Sequence, residues 1–344
     1  MKNYQKLIIS VVLPILSLCA CGKNQPAERV DFHTDLQARY LVDDFKHVAN
    51  YADGTQELSK PKGHQISFEN PDHLNYVVML QSDIDNRSYV CDQETFTFNN
   101  LYLDTKYHYE IRKDGMVHYQ GDFLTTDIAP RNIDVEGVTN FRDMGGYLNI
   151  YGKHTKQGMI YRSAKFNANK SDESLITDKG RDVVIDELHM KAEIDLRLVD
   201  NNENGNLTAS VIDSTVKYYS LPMDYSGGVL EKNKEMIKEL FNIISTSDNF
   251  PFVFHCSIGT DRTGMVAMIL NALLEVKTEE IYRDYLFSNF GNIGGSRSTS
   301  AIDNYISTFN TYNGSTLKEQ VISFLNSIGV ENSKINSFLD IMKA

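Results

Sequence analysis

The sequence predicts two folded domains, a small all-β domain followed by an α/β domain with a central, mostly parallel sheet flanked by helices. The chain has 344 residues, which is longer than one ordinary domain. Short alternating strands with turn residues between them run from about residue 51 to 126. Further on, strands and helices alternate, which is typical of an α/β domain. The predicted segments are a targeting segment at 1–20, a tether with one helical segment at 21–48, the all-β domain at 49–128 and the α/β domain at 129–344.

The composition indicates a packed, acidic protein. Hydrophobic residues make up 41% and charged residues 23% of the chain. The chain has 34 basic and 46 acidic residues and a formal net charge of −12, which argues against a nucleic-acid-binding protein. Such a charge repels anions at long range, so a site for an anionic ligand requires a local positive pocket.

The N-terminus has the features of a targeting segment. Lys2 and Lys6 precede an apolar run over 7–13 that is too short to span a membrane. Ala20 then precedes Cys21, which resembles the bacterial lipoprotein signal, where a small residue precedes an acylated cysteine. The resemblance implies an exported lipoprotein, anchored by a lipid on Cys21 on the periplasmic side or at the cell surface. An ordinary signal peptide is the alternative.

The elements of the all-β domain follow from the alternation of apolar and polar residues. Before them, apolar residues between Asp35 and Val48 recur at helical spacing and predict a helix. The predicted strands are Tyr76–Leu80, Thr95–Phe98, Leu101–Ile111 and one that ends at Phe123, with turns at Asp83–Asn86 and Lys113–Gly115.

Part of this domain resembles a fibronectin type III-like sandwich. The run Leu101, Thr105, Tyr107 and Tyr109 is similar to a strand entry of that fold, where a tyrosine ties a corner to the backbone. The resemblance implies a spacer, and a carbohydrate- or peptide-binding role is the alternative. We expect the linker to the α/β domain at Ala129–Arg131.

Two elements of the α/β domain are predicted to be buried. Pro251–His255 is a short apolar run suited to a parallel strand, and Thr263–Val276 is a helix that is apolar on nearly all sides. The other predicted elements are strands at Glu193–Leu196 and Val216–Leu221, a helix at Leu230–Ile244 and several amphipathic helices over 279–343.

The segment between that strand and that helix, HCSIGTDRTG at residues 255–264, has the residue types of an anion site. Its backbone N–H groups can converge on one anion at the helix N-terminus, and the same field stabilises a thiolate at Cys256. Arg262 offers a planar fork that matches two phosphate oxygens, and Gly259 permits the tight turn. The alternative is an inert buried cysteine beside an ion-paired arginine. We expect no disulfide with Cys91, which lies in the other domain.

This loop resembles that of the cysteine-dependent protein tyrosine phosphatase superfamily. It is most similar to the bacterial tyrosine phosphatases whose loop, HCxxGxDRTG, has aspartate directly before arginine. Gly137–Gly146 is similar to the opening motif of that group, Gly158–Ala164 to the following hairpin strand, and Ile194–Arg197 to the first parallel strand. The resemblance covers about residues 129–340.

The resemblance implies a metal-independent, cofactor-free phosphatase that acts through a phosphocysteine intermediate on Cys256, with Arg262 binding phosphate. Arg142 and Asp143 either line the pocket or form a structural ion pair. The resemblance assigns the remaining loop residues as follows: Ser257, Ile258, Gly259 and Thr260 bind substrate, and His255 and Thr263 support the loop.

Three aspartates are candidates for the general acid, which must donate a proton to the leaving oxygen. Asp261 lies in the loop, at a position proposed as the acid in the resembling group. Asp224 lies 32 residues before Cys256, as in eukaryotic-type relatives that carry the acid on a mobile loop. Asp195 is the third candidate, although an aspartate at a strand end beside Arg197 more often supports the phosphate loop.

The expected substrates are phosphate monoesters, above all phosphotyrosine in proteins, with either tyrosine or dual specificity. A phosphoinositide or inositol-phosphate phosphatase is an alternative, which Thr260 weakens because several members of the group carry lysine there. A non-catalytic, phosphate-binding surface lipoprotein is the other alternative. The expected partners are a phosphorylated protein or peptide, or a small phosphate ester, and the membrane through Cys21, but no nucleic acid.

Overall fold

The computed structural model describes residues 28–199 and 203–343. Its N-terminal part contains a five-stranded sheet of order β1-β7-β6-β3-β4 and a separate antiparallel pair, β2-β5. The elements are β1 Glu28–Val30, α1 Asp35–Val42, a 3₁₀ turn at Phe45–Asn50, β2 His64–Ser67, β3 Tyr76–Gln81, β4 Asn86–Cys91, β5 Thr95–Phe98, β6 Lys106–Lys113 and β7 Met116–Thr125.

This part differs from the prediction at its start. Glu28–Val30 pairs in parallel with β7, so the chain is folded from residue 28 and not tethered up to residue 48. Helix α1 begins with a capping box formed by Thr34 and Gln37 and ends at Val42, because Asp44 caps a separate 3₁₀ turn. The predicted helix up to Val48 is therefore two elements.

The strand boundaries also differ. Strand β4 was not predicted, because its residues alternate between exposed and half-buried positions and only Cys91 at its end is buried. Strand β6 starts at Lys106 and not at Leu101, since Asp104 has a positive φ of 48° that a strand does not contain. The Tyr107 hydroxyl accepts a hydrogen bond from the Tyr102 amide at 3.0 Å. The fibronectin type III-like resemblance itself stays a prediction.

The C-terminal part is built on a mixed sheet of order β11-β10-β12-β9-β8 with helices around it. Its first four strands are parallel, and β8 is antiparallel to β9. The elements are β8 Arg142–Asp143, β9 Ile160–Ser163, α2 Asp178–Asp182, a π turn at Val183–Glu187, β10 Ala192–Asp195, β11 Lys217–Ser220, α3 Val229–Lys232, α4 Lys234–Ile244, 3₁₀ turns at Ser247–Asn249 and Ser288–Phe290, β12 Phe252–His255, α5 Asp261–Leu273, α6 Thr278–Phe287, α7 Ser300–Phe309, α8 Leu317–Ser327 and α9 Asn332–Ile341.

The two elements predicted to be buried are buried. Every residue of β12 is buried, and so is every residue of α5 from Arg262 to Leu273. Helix α5 starts at Asp261, two residues earlier than predicted. The predicted helix at 230–244 is divided into α3 and α4 at Asn233, whose side chain bonds to the backbone of Asp224 and Val229.

The two parts of the molecule share one core. The fully buried Arg131 donates from Nη2 to the Asn100 carbonyl at 2.8 Å, pairs with Asp143 at 2.9 Å and lies over the Tyr102 ring at 3.5 Å from its centroid. None of the helices in the described ranges is long and apolar enough to cross a membrane.

Candidate active site

The site lies where β12 ends and α5 begins. Strands β10 and β12 are parallel neighbours, with Asp195 opposite His255, so both end at the same edge of the sheet. Cys256 directly follows β12 and is 2% exposed. The chain then turns within a few residues and enters α5 at Asp261, which brings the N-terminus of a buried helix beside the thiol.

The loop is fixed through its carbonyl groups. Asn140 donates from Nδ2 to the Ile258 and Gly259 carbonyls at 3.0 and 3.2 Å, and Arg162 donates to the Gly259 carbonyl at 2.9 Å. These bonds hold the loop by its carbonyls and leave its amides available to an anion at the helix N-terminus. The loop amides that donate to no residue of the described ranges are those of Ser257, Gly259, Thr260, Asp261 and Arg262.

Gly259 has the backbone conformation that the turn requires. Its φ is +70°, and a Cβ atom at this position would lie 2.4 Å from the Ser163 carbonyl oxygen. A larger residue is therefore excluded both by conformation and by space.

Burial disfavours the thiolate form of Cys256, but other interactions outweigh this effect. Burial alone would raise the pKa of Cys256, while the positive charge of Arg262, the hydroxyl and amide of Thr263 and the amide of Ile258 lower it. The net effect is a lowered pKa. The thiolate is therefore present at a lower pH than for a free cysteine, as a nucleophile requires.

The Arg262 guanidinium is held from one edge. Glu203 accepts from Nη1 at 2.6 Å and from Nη2 at 3.0 Å, and the Leu196 and Met223 carbonyls accept from Nη1 at 3.3 Å. Tyr225 covers one face of the guanidinium at 5.0 Å. Nε donates to no described residue, so the edge formed by Nε and Nη2 retains donors for an anion.

His255 lies behind the loop, fully buried. Its Nε2 is 2.9 Å from Glu193 Oε1, and its Nδ1 is 3.3 Å from the Cys256 carbonyl. Glu193, Asp195 and His255 have side-chain atoms of metal-ligand type within 4.8 Å of one another. Both carboxylates have protein partners, Ser210 for Glu193, and Arg197 and Tyr218 for Asp195, so this group is satisfied by the protein itself.

Arg142 and Asp143 do not line the pocket. Both are buried, and they are not paired with each other. Arg142 binds Asp284 at 2.9 Å, and Asp143 binds Arg131 at 2.9 Å. The structure therefore contradicts substrate binding by these two residues, and it also contradicts an ion pair between them, because each pairs with another residue.

The three candidate acids have different surroundings. Asp195 is buried and bound at two points by Arg197, so it supports the strand end. Asp224 is exposed, and its pKa is lowered by the hydroxyl and amide of Ser226 and by Lys232. Asp261 accepts from Arg297 Nε at 2.9 Å and from Arg297 Nη2 at 3.0 Å.

Comparison with known proteins shows the family to which the chain belongs. A model of the tyrosine phosphatase family matches residues 133–344, which is more than half of the chain. The chain belongs to the tyrosine phosphatase family. The protein is thus a phosphatase, a hydrolase of phosphate esters.

Relatives of this phosphatase include a protein of Cupriavidus necator named as a tyrosine-protein phosphatase. It is 26% identical over 186 residues, which cover 48% of this chain and 68% of the relative. Among solved structures, the core catalytic domain of the PP-IP phosphatase Siw14 from S. cerevisiae, in complex with citrate, is 17% identical, with 51% of this chain and 93% of that chain covered and a TM-score of 0.32. A second structure of the Siw14 catalytic core is 18% identical, covers 44% and 87%, and has a TM-score of 0.28.

Several residues of the phosphatase site were missed by the sequence reasoning. Asn140 and Arg162 lie within the two motifs that resemble the family, but their contacts to the loop carbonyls were not predicted. Glu203, Asp284 and Arg297 lie outside any motif that we recognised. The only signal in the sequence is that each has a charge opposite to that of its partner, which is Arg262, Arg162 and Asp261 respectively. That signal cannot select three residues among 46 acidic and 34 basic ones.

Proposed function

We propose that this phosphatase hydrolyses phosphotyrosine-like esters through a phosphocysteine intermediate on Cys256. The observation that carries the proposal is a thiol whose pKa is lowered by Arg262, in a loop whose amides from Gly259 to Arg262 donate to no described residue, with the Nε edge of Arg262 left open. These groups together match a phosphate that is attacked by sulfur.

The reaction has two steps in this proposal. The Cys256 thiolate attacks phosphorus, the bond from phosphorus to the ester oxygen breaks, and a general acid protonates the leaving oxygen. Water then attacks the phosphocysteine, which releases inorganic phosphate and the thiolate. Arg262 and the amides of Gly259, Thr260 and Asp261 stabilise the charge on the equatorial oxygens in both steps.

Asp261 is our proposed general acid. It is adjacent in sequence to Arg262, and its partner Arg297 has a pKa that is raised first by the bond to Asp261 and also by the charge of Cys256, which indicates proximity to the sulfur. Asp224, in contrast, has partners only in its own loop and in α3.

An aromatic leaving group is supported by Tyr225. Its ring is 60% exposed and covers Arg262, so it offers an apolar face at the rim of the site. A phosphotyrosine side chain is long enough to place its ring at such a rim while the phosphate lies on the loop. This favours phosphotyrosine over a phosphorylated aliphatic hydroxyl.

The test is hydrolysis of phenyl phosphate and of a phosphotyrosine peptide in the presence of a chelator. We expect Cys256→Ser to abolish turnover, because a serine hydroxyl is not ionised near neutral pH. In the wild type, kcat/KM should fall on the acid side at a pH below the usual thiol range, since the pKa of Cys256 is lowered. Equal rates for wild type and Cys256→Ser would contradict the proposal.

We further propose export as a lipoprotein with a lipid on Cys21. This segment lies outside the described residues, so the proposal depends on the sequence alone. Cys21→Ala should abolish incorporation of labelled palmitate in a bacterial host, while Cys19→Ala, the matched control two residues earlier, should retain it. Labelling that survives Cys21→Ala would contradict the anchor.

A further inference from the structure

A cleft next to the phosphate loop has the properties of a second anion site. It has a volume of about 240 Å³ and begins at the loop itself, where Ser257 and Ile258 form one wall. Its other walls include Thr139, Lys165 and Asn292. Ser257 is the residue directly after the nucleophile, so a group in this cleft lies beside a phosphate that is bound on the loop.

Lys165 supplies an uncompensated positive charge to the cleft. Within the described ranges, no carboxylate lies within ion-pair distance of its ammonium group. Its pKa is lowered, first by partial burial and second by the positive charge of Arg197. In a chain with a net charge of −12, a half-buried lysine with only a cation as its charged neighbour is unusual.

One neutral donor, the Ser257 hydroxyl, belongs to a residue that lines the cleft. The Ser257 Oγ atom is buried and has no hydrogen-bond partner among the described residues. A buried hydroxyl without a partner costs free energy unless a ligand or water satisfies it. Glu57 is close to the cleft, because it accepts from the Asn292 amide at 3.2 Å. It is also held by the Ser59 hydroxyl and amide, and it forms no ion pair with Lys165.

We propose that this cleft binds a second anionic group of the substrate, a carboxylate or a phosphate, with Lys165 as its counter-charge and the Ser257 hydroxyl as a donor. The inference rests on the proposed function and narrows the substrate class. The preferred substrate is a phosphate ester with another negative charge close to the phosphorylated ring. An acidic residue beside phosphotyrosine supplies such a charge, and so does a second phosphate.

The experiment compares three phosphate esters of similar shape. These are meta-carboxyphenyl phosphate, its neutral analogue meta-carbamoylphenyl phosphate, and resorcinol bisphosphate. The measured quantity is the ratio of kcat/KM for each anionic ester to that for the neutral ester. Comparing this ratio between enzyme variants removes the intrinsic reactivity of the substrates.

We expect Lys165→Met to lower both ratios by about tenfold, the low end for a charge-assisted contact at a partly exposed site. Lys165→Arg should retain the ratios, and Lys165→Glu should lower them further. Lys153→Met, an exposed lysine outside the cleft, changes net charge equally and should leave the ratios as in the wild type. A decrease for the bisphosphate alone identifies a phosphate subsite, and a decrease for both identifies a general anion subsite.

Two outcomes overturn the inference. One is an unchanged ratio in Lys165→Met, and the other is an equal decrease in Lys153→Met. Turnover that does not depend on Cys256 overturns the proposed function instead. The two failures are distinguishable, because an enzyme that depends on Cys256 but has unaltered ratios in Lys165→Met loses only the second subsite.

Discussion

At the scale of single residues, the identity of the general acid depends on which cation is paired with each candidate aspartate. Asp261 and Asp224 are both paired, with Arg297 and Lys232 respectively. Both carboxylate oxygens of Asp261 accept from Arg297, so Asp261 must release Arg297 before it can contact the leaving oxygen of a substrate.

We predict that Asp261→Asn lowers kcat for phenyl phosphate by about 10²- to 10⁴-fold, the usual contribution of a general acid. The effect on p-nitrophenyl phosphate should be far smaller, because that leaving group departs without protonation. Asp224→Asn serves as the matched control and should change both rates by less than about threefold. Steady-state kinetics on the two esters measure this, and a reversed order of the two variants would transfer the role to Asp224.

The sequence predicted which residues of the loop lie together, but it did not predict the side chains that hold these residues in place. Cys256, Gly259 and Arg262 are close in sequence, so the turn between a strand and a helix brings them together without knowledge of the rest of the fold. Glu203 and Arg297 reach the loop from segments 59 residues before Arg262 and 36 residues after Asp261. Such contacts depend on packing between distant segments, which one sequence does not reveal.

At the scale of elements, the buried Asp284 connects α6 to the strands that support the loop. Arg142 in β8 and Arg162 in β9 both bind its carboxylate, and the Tyr147 hydroxyl donates to it at 2.9 Å. Burial opposes the charged form of Asp284, but the two arginines prevail and lower its pKa. Since Arg162 also donates to the Gly259 carbonyl, this ion cluster transmits the position of α6 to the phosphate loop.

We predict that Asp284→Asn destabilises the protein by about 3–5 kcal/mol, because two buried arginines lose their counter-charge. Asp340→Asn, an exposed carboxylate paired with Lys343, should cost less than about 0.5 kcal/mol. Urea unfolding at pH 7 measures both. A lowered folded-state pKa stabilises the fold above the unfolded value of about 3.9 and is lost as pH falls through the folded value. The difference between wild type and Asp284→Asn should therefore shrink in acid, and a constant difference would contradict this assignment.

The helices and strands were predicted correctly where the hydrophobic pattern of the segment determines its structure. Strand β12 and the residues of α5 from Arg262 to Leu273 are buried, as their continuous apolar runs predict. The pattern failed at β4, where only Cys91 is buried, and at Asn233, where a polar side chain divides one helical pattern into α3 and α4. At β4 the backbone hydrogen bonds to β3 decide the structure, and at Asn233 the side-chain hydrogen bonds to backbone carbonyls decide it. Hydrophobic periodicity reveals neither kind of bond.

At the scale of the whole molecule, the all-β part and the phosphatase part are joined by buried polar contacts. Arg131 binds the carbonyls of Leu101 and Asn100 on one side and Asp143 on the other. Arg87 in β4 pairs with Glu187 at 2.9 Å across the same boundary. All three residues of the predicted linker Ala129–Arg131 are buried. Composition gave no sign of this, since polar contacts between domains resemble ordinary surface residues in sequence.

These contacts predict that the two parts unfold together. Arg131→Met should leave Asp143 charged and buried without its partner, at a cost of about 3–5 kcal/mol, and should uncouple the two parts. Hydrogen exchange measured by mass spectrometry should show equal protection in β6 and β12 in the wild type, and earlier exchange in β6 in the variant. Arg29→Met is the control, because Arg29 pairs with Asp127 at an exposed position and its loss should cost at most about 1 kcal/mol. Separate unfolding of β6 in the wild type would show that Arg131 does not couple the parts, and the all-β part would then act as an independent spacer.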